Sequence, residues 1–262
     1  MNLDLSGKYA LVGGSTQGIG KKVAIELSKL GATIVLAARN EDKLKATLLE
    51  LDKNLNQNHT YLCADFSKPK QLEAEVKKML NSGIKINILV NNTGGPKAGK
   101  AIDASIEEYT SAFNLHLICN QILAHNLVVG MKELKYGRII NIISTSVKAP
   151  LKGLGVSNTV RGAVANWSKT LAGELGEFGI TVNNVLPGAT NTSRLKDIIS
   201  NKAKLTGESE DQIMKSMLAA VPLGRIADPK EVASAVVFLA SPAASYINGI
   251  NLPVDGGRTP TL

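Results

Sequence analysis

A short apolar run that breaks into a glycine-rich loop and continues as a helical pattern constrains this chain more than any other feature. The segment spans Leu11–Val23 and reads Leu-Val-Gly-Gly-Ser-Thr-Gln-Gly-Ile-Gly-Lys-Lys-Val. Glycines let the backbone turn sharply and approach an anion closely, and the free N–H groups at the start of the following helix face that anion. The segment therefore predicts a phosphate-binding loop. A plain strand-to-helix turn is the alternative, because the spacing Gly-x-x-x-Gly-x-Gly shares the mechanism of the usual dinucleotide fingerprint but not its letters.

The residues after the loop complete a unit of strand, loop, helix and second strand. The helix is predicted over Gly18–Leu30, with Gly31 as its C-cap. Thr33–Ala38 is a continuous apolar run, which is typical of a strand buried on both faces. Such a unit has the length of a parallel crossover, about 30 residues. Arg39 follows the second strand, where a cation suits a 2′-phosphate; a solvated surface arginine is the alternative.

Length and composition indicate one globular domain. The chain has 262 residues, of which 44% are hydrophobic and 20% are charged, so it can bury a substantial core. We expect a cytoplasmic protein, because no apolar stretch approaches the roughly 20 residues of a transmembrane helix and the first residues lack a signal-peptide pattern. Cys63 and Cys119 are the only cysteines, which excludes a disulfide framework and favours reduced core residues.

Charge and residue spacing argue against several other classes of protein. The net charge is +8, but basic and acidic residues are interleaved and aromatic residues make up only 4% of the chain, so we expect no nucleic-acid partner. We expect no membrane partner either. His59, His116 and His125 show no metal-ligand spacing, so no metal is expected. Gly94–Lys100 has the glycine and lysine spacing of a P-loop, but Ala101 replaces the hydroxyl residue that would hold Mg²⁺.

Strand-like and helix-like segments alternate along the rest of the chain. Further strands are predicted at Thr60–Ala64, Ile86–Asn91, Arg138–Ile143, Thr181–Leu186 and Ile250–Val254, and helices at Pro69–Leu80, Ser105–Met131, Val156–Glu177 and Pro229–Ala240. This alternation predicts a single doubly wound α/β domain with a parallel seven-stranded sheet, which would bind ligands at the carboxyl ends of its strands. The polar stretch Ser193–Ser216 departs from the alternation, and we interpret residues 190–220 as a mobile substrate lid.

Three further motifs stand in order along the chain. They are Asn91-Asn92-Thr93-Gly94, then Pro187-Gly188 followed by Thr192, and finally Pro222-Leu223-Gly224-Arg225 through Val254-Asp255-Gly256-Gly257. With the glycine loop, they make nearly the whole chain similar to the short-chain dehydrogenase/reductase family, most of all to its 3-oxoacyl-carrier-protein reductase branch. The resemblance implies a Rossmann-type fold and an NADP(H)-dependent reaction on a small-molecule carbonyl or alcohol substrate.

The resemblance also assigns roles to individual residues. The cofactor-binding residues that it implies are Gly14, Thr16, Gly18, Ile19, Gly20, Arg39, Asp65, Phe66, Asn91, Gly188 and Thr192. Within this set the glycine loop would hold the pyrophosphate, Arg39 the 2′-phosphate, and Asp65 the adenine. The family's catalytic residues are an Asn, a Ser, a Tyr and a Lys, and the corresponding positions here are Asn114, Ser144, Ser157 and Arg161.

Ser157 and Arg161 stand where the family has tyrosine and lysine. A serine hydroxyl is a much weaker acid than a phenol and is too short to reach as far, so it cannot simply replace the family's proton donor. Arg161 keeps its proton at any ordinary pH and shares a helix face with Ser157, from which it can bind ribose hydroxyls or a substrate oxyanion. Two functions stay open: an oxidoreductase with a non-standard catalytic site, and a catalytically inactive nucleotide-binding sensor or scaffold.

The two long predicted helices are unusually rich in apolar residues. Those residues are Leu115, Ile118, Ile122, Leu123, Leu127, Val160, Val164, Trp167 and Leu171. They can supply both a core face and a partner face, and relatives in the family pair these helices, so we expect a homo-oligomer, specifically a tetramer. The alternative is that one wide face is simply buried in the core.

Overall fold

Strands and helices alternate along residues 1–261, the part of the chain that this computed structural model describes. The strands are β1 (Tyr9–Gly13), β2 (Thr33–Ala38), β3 (Thr60–Cys63), β4 (Ile88–Asn91), β5 (Gly137–Ile142), β6 (Ile180–Pro187) and β7 (Asn251–Val254). The helices are α1 (Gly18–Lys29), α2 (Glu41–Leu48), α3 (Pro69–Asn81), α4 (Ile106–Phe113), α5 (Cys119–Glu133), α6 (Gly155–Leu175), α7 (Ser193–Thr206), α8 (Glu210–Ala219) and α9 (Pro229–Ala240). A π-helical segment, Asn114–Ile118, joins α4 to α5.

Within these residues the strands form one parallel sheet of seven strands in the order β3-β2-β1-β4-β5-β6-β7. Side chains of α1 and α9, such as Val23 and Val236, pack on one face of the sheet. Side chains of α3, α5 and α6, such as Val76, Leu127 and Leu175, pack on the other. The predicted fold class is confirmed. Because the strand order reverses between β1 and β4, the carboxyl ends of these strands form the crevice where such sheets bind ligands.

Local chemistry explains the elements whose bounds agree with the sequence analysis. Every residue of β2 is buried, as its unbroken apolar run predicts. Helix α9 begins at Pro229 because Asp228 forms a capping box with Glu231. The Asp228 carboxylate accepts from the Lys230 N–H at 2.7 Å, and the Glu231 carboxylate accepts from the Asp228 N–H at 2.8 Å.

The structure differs from the sequence analysis in three regions. The helix predicted at Ser105–Met131 is divided into α4 and α5 by the π-helical segment, which the apolar spacing did not reveal. Helix α2 is additional, and it starts where the Asn40 side chain accepts a hydrogen bond from the Lys43 N–H at 2.9 Å. The polar stretch interpreted as a lid contains two helices, α7 and α8, which pack together through Leu195, Ile199 and Ile213. That this pair acts as a lid stays a prediction.

The apolar residues of the long helices divide between the core and the surface. Leu123, Leu127, Val160 and Val164 are buried in the monomer and supply the core face of these helices. Ile118 is 37% exposed, so part of the face that we assigned to a partner remains available. None of the helices in residues 1–261 is long and apolar enough to cross a membrane.

Candidate functional site

The glycine loop lies between the end of β1 and the start of α1. Gly14 and Gly18 have φ angles of +56° and +55°, which side chains rarely adopt. A Cβ atom at Gly14 would lie 2.7 Å from Nδ2 of Asn92, and one at Gly20 would collide with the Gly14 carbonyl oxygen. The Ser15 hydroxyl accepts from the Ala37 N–H at 3.0 Å and so fixes the loop to β2. The loop therefore has the bare backbone that a dinucleotide phosphate requires.

Asn92 supports this loop, although the sequence analysis assigned it no role. Its Nδ2 donates to the Gly13 carbonyl at 3.1 Å, which joins the chain after β4 to the end of β1. The neighbouring Asn91, which we predicted to bind the cofactor, is only 2% exposed and donates from Nδ2 to Oδ1 of Asn141 at 2.8 Å. Its contact in this structure is thus within the sheet, and its cofactor role stays a prediction. The repeated Asn-Asn after β4 was the signal that could have identified Asn92.

The predicted adenosine-binding residues lie together at the ends of β2 and β3. Ser67 donates to the Asp65 carboxylate from its N–H at 2.9 Å and from its hydroxyl at 2.8 Å. These hydrogen bonds, with the nearby charge of Arg39, lower the pKa of Asp65. The buried Phe66 accepts from the Cys119 thiol at 3.0 Å, and burial raises the pKa of Cys119 to about 12. Cys119 is therefore an unreactive core residue, as predicted.

Three of the predicted catalytic residues lie where β5 meets α6. The Ser144 hydroxyl follows β5 and accepts from the Ser146 N–H at 3.1 Å. Ser157 is half-buried in the first turn of α6, and within the described chain its hydroxyl has no hydrogen bond. Arg161 follows one turn later, is 8% exposed, and donates from Nη1 to the Ile142 carbonyl at 2.8 Å. This bond fixes the guanidinium group near the carboxyl end of β5.

Arg161 and His116 are buried, whereas Thr93, which contacts His116, and Arg194 are half-buried. Burial, with the charge of Arg194, lowers the pKa of Arg161 to about 10, so it stays charged at neutral pH. Burial, with the charge of Arg161, lowers the pKa of His116 to about 2, so its ring stays neutral. Nδ1 of His116 lies 2.8 Å from the Thr93 hydroxyl. Nε2 of His116 and Nε of Arg161 are buried and have no partner in residues 1–261. Sequence reasoning missed His116 and Arg194, because only the fold brings them near Arg161.

Asn114, the fourth predicted catalytic residue, begins the π-helical segment and is half-buried. The same segment carries His116. A π-helical turn inside a longer helix is uncommon and frequently occurs at a functional site. The side chains of Asn114 and His116 therefore point in directions that a continuous α-helix would not give them.

The start of α7 lies over the glycine loop. Thr192 caps this helix by accepting from the Leu195 N–H at 3.3 Å, and a Cβ atom at Gly18 would lie 3.2 Å from its methyl carbon. Thr16 and Ile19 are half-buried within the same loop. Close packing requires a glycine at position 188, since a Cβ atom there would lie 2.8 Å from Cα of Asp255.

A glycine loop with a bare backbone at the end of β1, next to the point where the strand order reverses, is the arrangement with which parallel α/β sheets bind dinucleotides. Residues 14–259 match the family model described as Enoyl-(Acyl carrier protein) reductase. The chain is 33% identical to the 3-oxoacyl-acyl-carrier-protein reductase FabG of Vibrio harveyi, over 97% of this chain and 98% of that one. It is 31% identical to the 7alpha-hydroxysteroid dehydrogenase of Escherichia coli, over 100% of this chain and 98% of that one.

Solved structures agree with these sequence relatives. The L-sorbose reductase of Gluconobacter frateurii, determined with NADPH and L-sorbose, superposes with a TM-score of 0.92 at 32% identity over 100% of both chains. An actinorhodin polyketide ketoreductase determined with NADPH superposes with a TM-score of 0.89 at 29% identity over 97% of each chain. The chain belongs to the short-chain dehydrogenase/reductase family, whose members are NAD(P)-dependent oxidoreductases, and the predicted family is confirmed.

Proposed function

We propose that this protein is an NADP(H)-dependent oxidoreductase that interconverts a small carbonyl compound and the corresponding alcohol through a non-standard catalytic site. The observation that carries the proposal is the buried, charged Arg161, one helical turn from Ser157 and bonded to the strand that leads to Ser144. The bare glycine loop and Arg39 support the cofactor, as do the two NADPH-bound relatives. The substrate is a small molecule, as L-sorbose is in the structure of the sorbose reductase.

The residues near the end of β5 divide the chemistry between them. When bound, NADPH supplies the hydride that reaches the carbonyl carbon. The hydroxyls of Ser144 and Ser157 donate hydrogen bonds to the carbonyl oxygen, and the fixed charge of Arg161 stabilises the negative charge that develops there. Solvent water gives the proton and leaves hydroxide, because neither serine nor arginine releases a proton near neutrality. The rate therefore lacks the pH limb that a catalytic tyrosine would add.

An inactive nucleotide-binding sensor or scaffold is the second candidate, and the serine at position 157 favours it. NADPH consumption with a panel of ketones and aldehydes, NADP⁺ reduction with a panel of alcohols, and an NADPH binding titration separate the two. Turnover supports the oxidoreductase. Binding without turnover across both panels supports the sensor.

A double variant also distinguishes a working enzyme from an inactive nucleotide-binding protein. Ser157→Tyr with Arg161→Lys restores the residue types of the family. In an inactive protein this change should confer reduction of simple ketones. In a working enzyme it should slow the native reaction, because the phenol fills space that the substrate needs. Ser157→Ala, which adds no bulk, is the matched control.

A further inference from the structure

The first turn of α6, which carries Ser157, lacks the side chains that usually fix the start of a helix. Its N-cap residue is Leu154, whose side chain cannot accept a hydrogen bond from the free N–H groups there. This turn also contains no acidic residue that would interact favourably with the helix dipole. Other contacts therefore hold Ser157 in its place.

Asn158 supplies one of these contacts from within the helix. Its Nδ2 donates to the Leu151 carbonyl at 2.9 Å, and its Oδ1 accepts from the Leu151 N–H at 3.4 Å. The same carbonyl accepts from the Leu154 N–H at 3.3 Å, which closes a turn over residues 151–154. Gly153 is the third residue of this turn and has a φ of +76°, the sign that a type II turn requires there. The Asn158 amide thus binds both backbone groups of the residue that begins the turn.

The chain between β4 and α4 supplies a second contact. Gly99 donates from its N–H to the Gly153 carbonyl at 2.8 Å, and its carbonyl accepts from the Gly155 N–H at 2.9 Å. One of the free N–H groups at the start of α6 is thereby satisfied. Gly155 packs so closely on this chain that a Cβ atom there would collide with the backbone of Ala101. The turn before α6 is therefore joined to Gly99 on one side and, through Asn158, to the helix on the other.

We propose that Asn158 is a positioning residue, whose amide holds the first turn of α6 so that the Ser157 hydroxyl meets the substrate oxygen. This inference rests on the proposed function. The hydroxyl oxygen of Ser157 is attached directly to Cβ, so a single torsion places it and it follows any movement of the backbone. A misplacement of about 1 Å is enough to reduce a rate about 100-fold. The reaction at Ser157 therefore depends on the two hydrogen bonds between Asn158 and Leu151.

Hydrogen exchange and kinetics on Asn158 variants test the inference. Mass spectrometry follows exchange in residues 149–156, and kcat is measured with the fastest substrate of the ketone and aldehyde panel. Asn158→Ala should raise the exchange rate about fivefold and lower kcat about tenfold or more, with the NADPH dissociation constant unchanged within about twofold. Asn158→Asp has the same shape but cannot donate to Leu151, so it should behave as Asn158→Ala does. Asn166→Ala is the control, because Asn166 is exposed on the same helix, and it should change neither quantity.

A double-mutant cycle separates a role through Ser157 from a general loss of structure. Asn158→Ala should lower kcat in the natural protein but have little further effect in a protein that already carries Ser157→Ala. An equal loss of kcat in both backgrounds would overturn the inference, and so would unchanged exchange in Asn158→Ala.

The outcomes distinguish this inference from the proposed function. Turnover by the natural protein with equal losses in the two backgrounds would overturn the role of Asn158 and leave the oxidoreductase standing. A natural protein that binds NADPH but turns over no member of either panel would overturn the proposed function and, with it, the role of Asn158 in the reaction.

Discussion

Asn91 donates a hydrogen bond from Nδ2 to Oδ1 of Asn141 on the neighbouring strand, at 2.8 Å. The same contact repeats across the sheet, from Asn141 to Asn184 at 2.9 Å and from Asn184 to Asn251 at 2.8 Å. The four residues are in register on β4, β5, β6 and β7. They form a row of amides that all donate in the same direction, an arrangement in which each bond polarises the next.

We expect Asn141→Leu to lower the free energy of unfolding by about 3 kcal/mol, because it leaves the amide groups of Asn91 and Asn184 in the core without their hydrogen bonds to Asn141. Asn251→Ala, at the exposed end of the row, should cost about 1 kcal/mol or less. Urea denaturation of both variants measures the difference. Equal costs would mean that the row is not a coupled network.

Arg39→Ala should weaken NADPH binding about tenfold and leave NADH binding nearly unchanged, because a charge-assisted bond to an exposed phosphate contributes roughly 1.5 kcal/mol. Dissociation constants for both cofactors measure it. Lys78→Ala removes an exposed cation from α3 and serves as the control for net charge. Equal affinity of the natural protein for NADPH and NADH would contradict the role of Arg39.

Arg161→Ala should reduce turnover of the native substrate by about 10²–10³-fold, the usual effect of removing an electrostatic donor from a catalytic site. Arg161→Met should cost little stability, since the buried guanidinium is uncompensated and the loss is one hydrogen bond to Ile142, worth about 1 kcal/mol. Thermal melts and kinetics on both variants separate function from folding. Unchanged turnover and cofactor binding in Arg161→Ala would exclude Arg161 from the site.

Below neutral pH, His116 should make the fold less stable. Its pKa falls from 6.5 to about 2 on folding, because of burial and then the charge of Arg161. The unfolded chain therefore gains a proton as the pH falls through 6.5, whereas the folded chain does not. This linkage removes about 2 kcal/mol between pH 7 and 5. His116→Gln should lose that part of the pH dependence and keep the part due to His59, whose pKa burial also lowers. Denaturation curves at the two pH values test this, and an unchanged slope in the variant would refute it.

The protein should be a homotetramer. Ile118, on the π-helical segment, is 37% exposed, and Val129 on α5 is 63% exposed, so this helix presents apolar surface that a partner would bury. Light scattering at micromolar concentration should give four times the chain mass of 27.7 kDa. Val129→Asp should reduce the mass, whereas Leu49→Asp, at a more exposed apolar site after α2, should not. A monomer mass for the natural protein would rule out the assembly.

The sequence predicted those parts of the fold where local chemistry and tertiary packing agree. The bounds of β2 and α9 match because one is a continuous apolar run and the other has a capping box. Helix α2 was missed because its apolar pattern is weak and its start depends on the Asn40 cap. The two helices in the predicted lid bury only a few residues, so the mostly polar sequence there shows no clear helical spacing of apolar residues.

Motifs were enough to select Ser144 and Arg161 as candidates, and the structure places both near the carboxyl end of β5. Their catalytic roles stay a prediction. His116 and Arg194 carry no motif, and their relation to Arg161 depends on three segments far apart in the chain. The asparagine row could not be predicted either, because it requires the register of strands separated by whole helices.

The π-helical segment Asn114–Ile118 holds one residue more than an α-helical turn, because the Cys119 N–H bonds to the carbonyl of Asn114 and not to that of Leu115. If one residue of the segment were deleted, α4 and α5 would continue as a single α-helix, and Leu123 and Leu127 would keep their places in the core. The side chains within the turn would lose their present directions, including the contact of His116 with Thr93. A deletion of one residue here would therefore leave the fold largely intact and disrupt the candidate site.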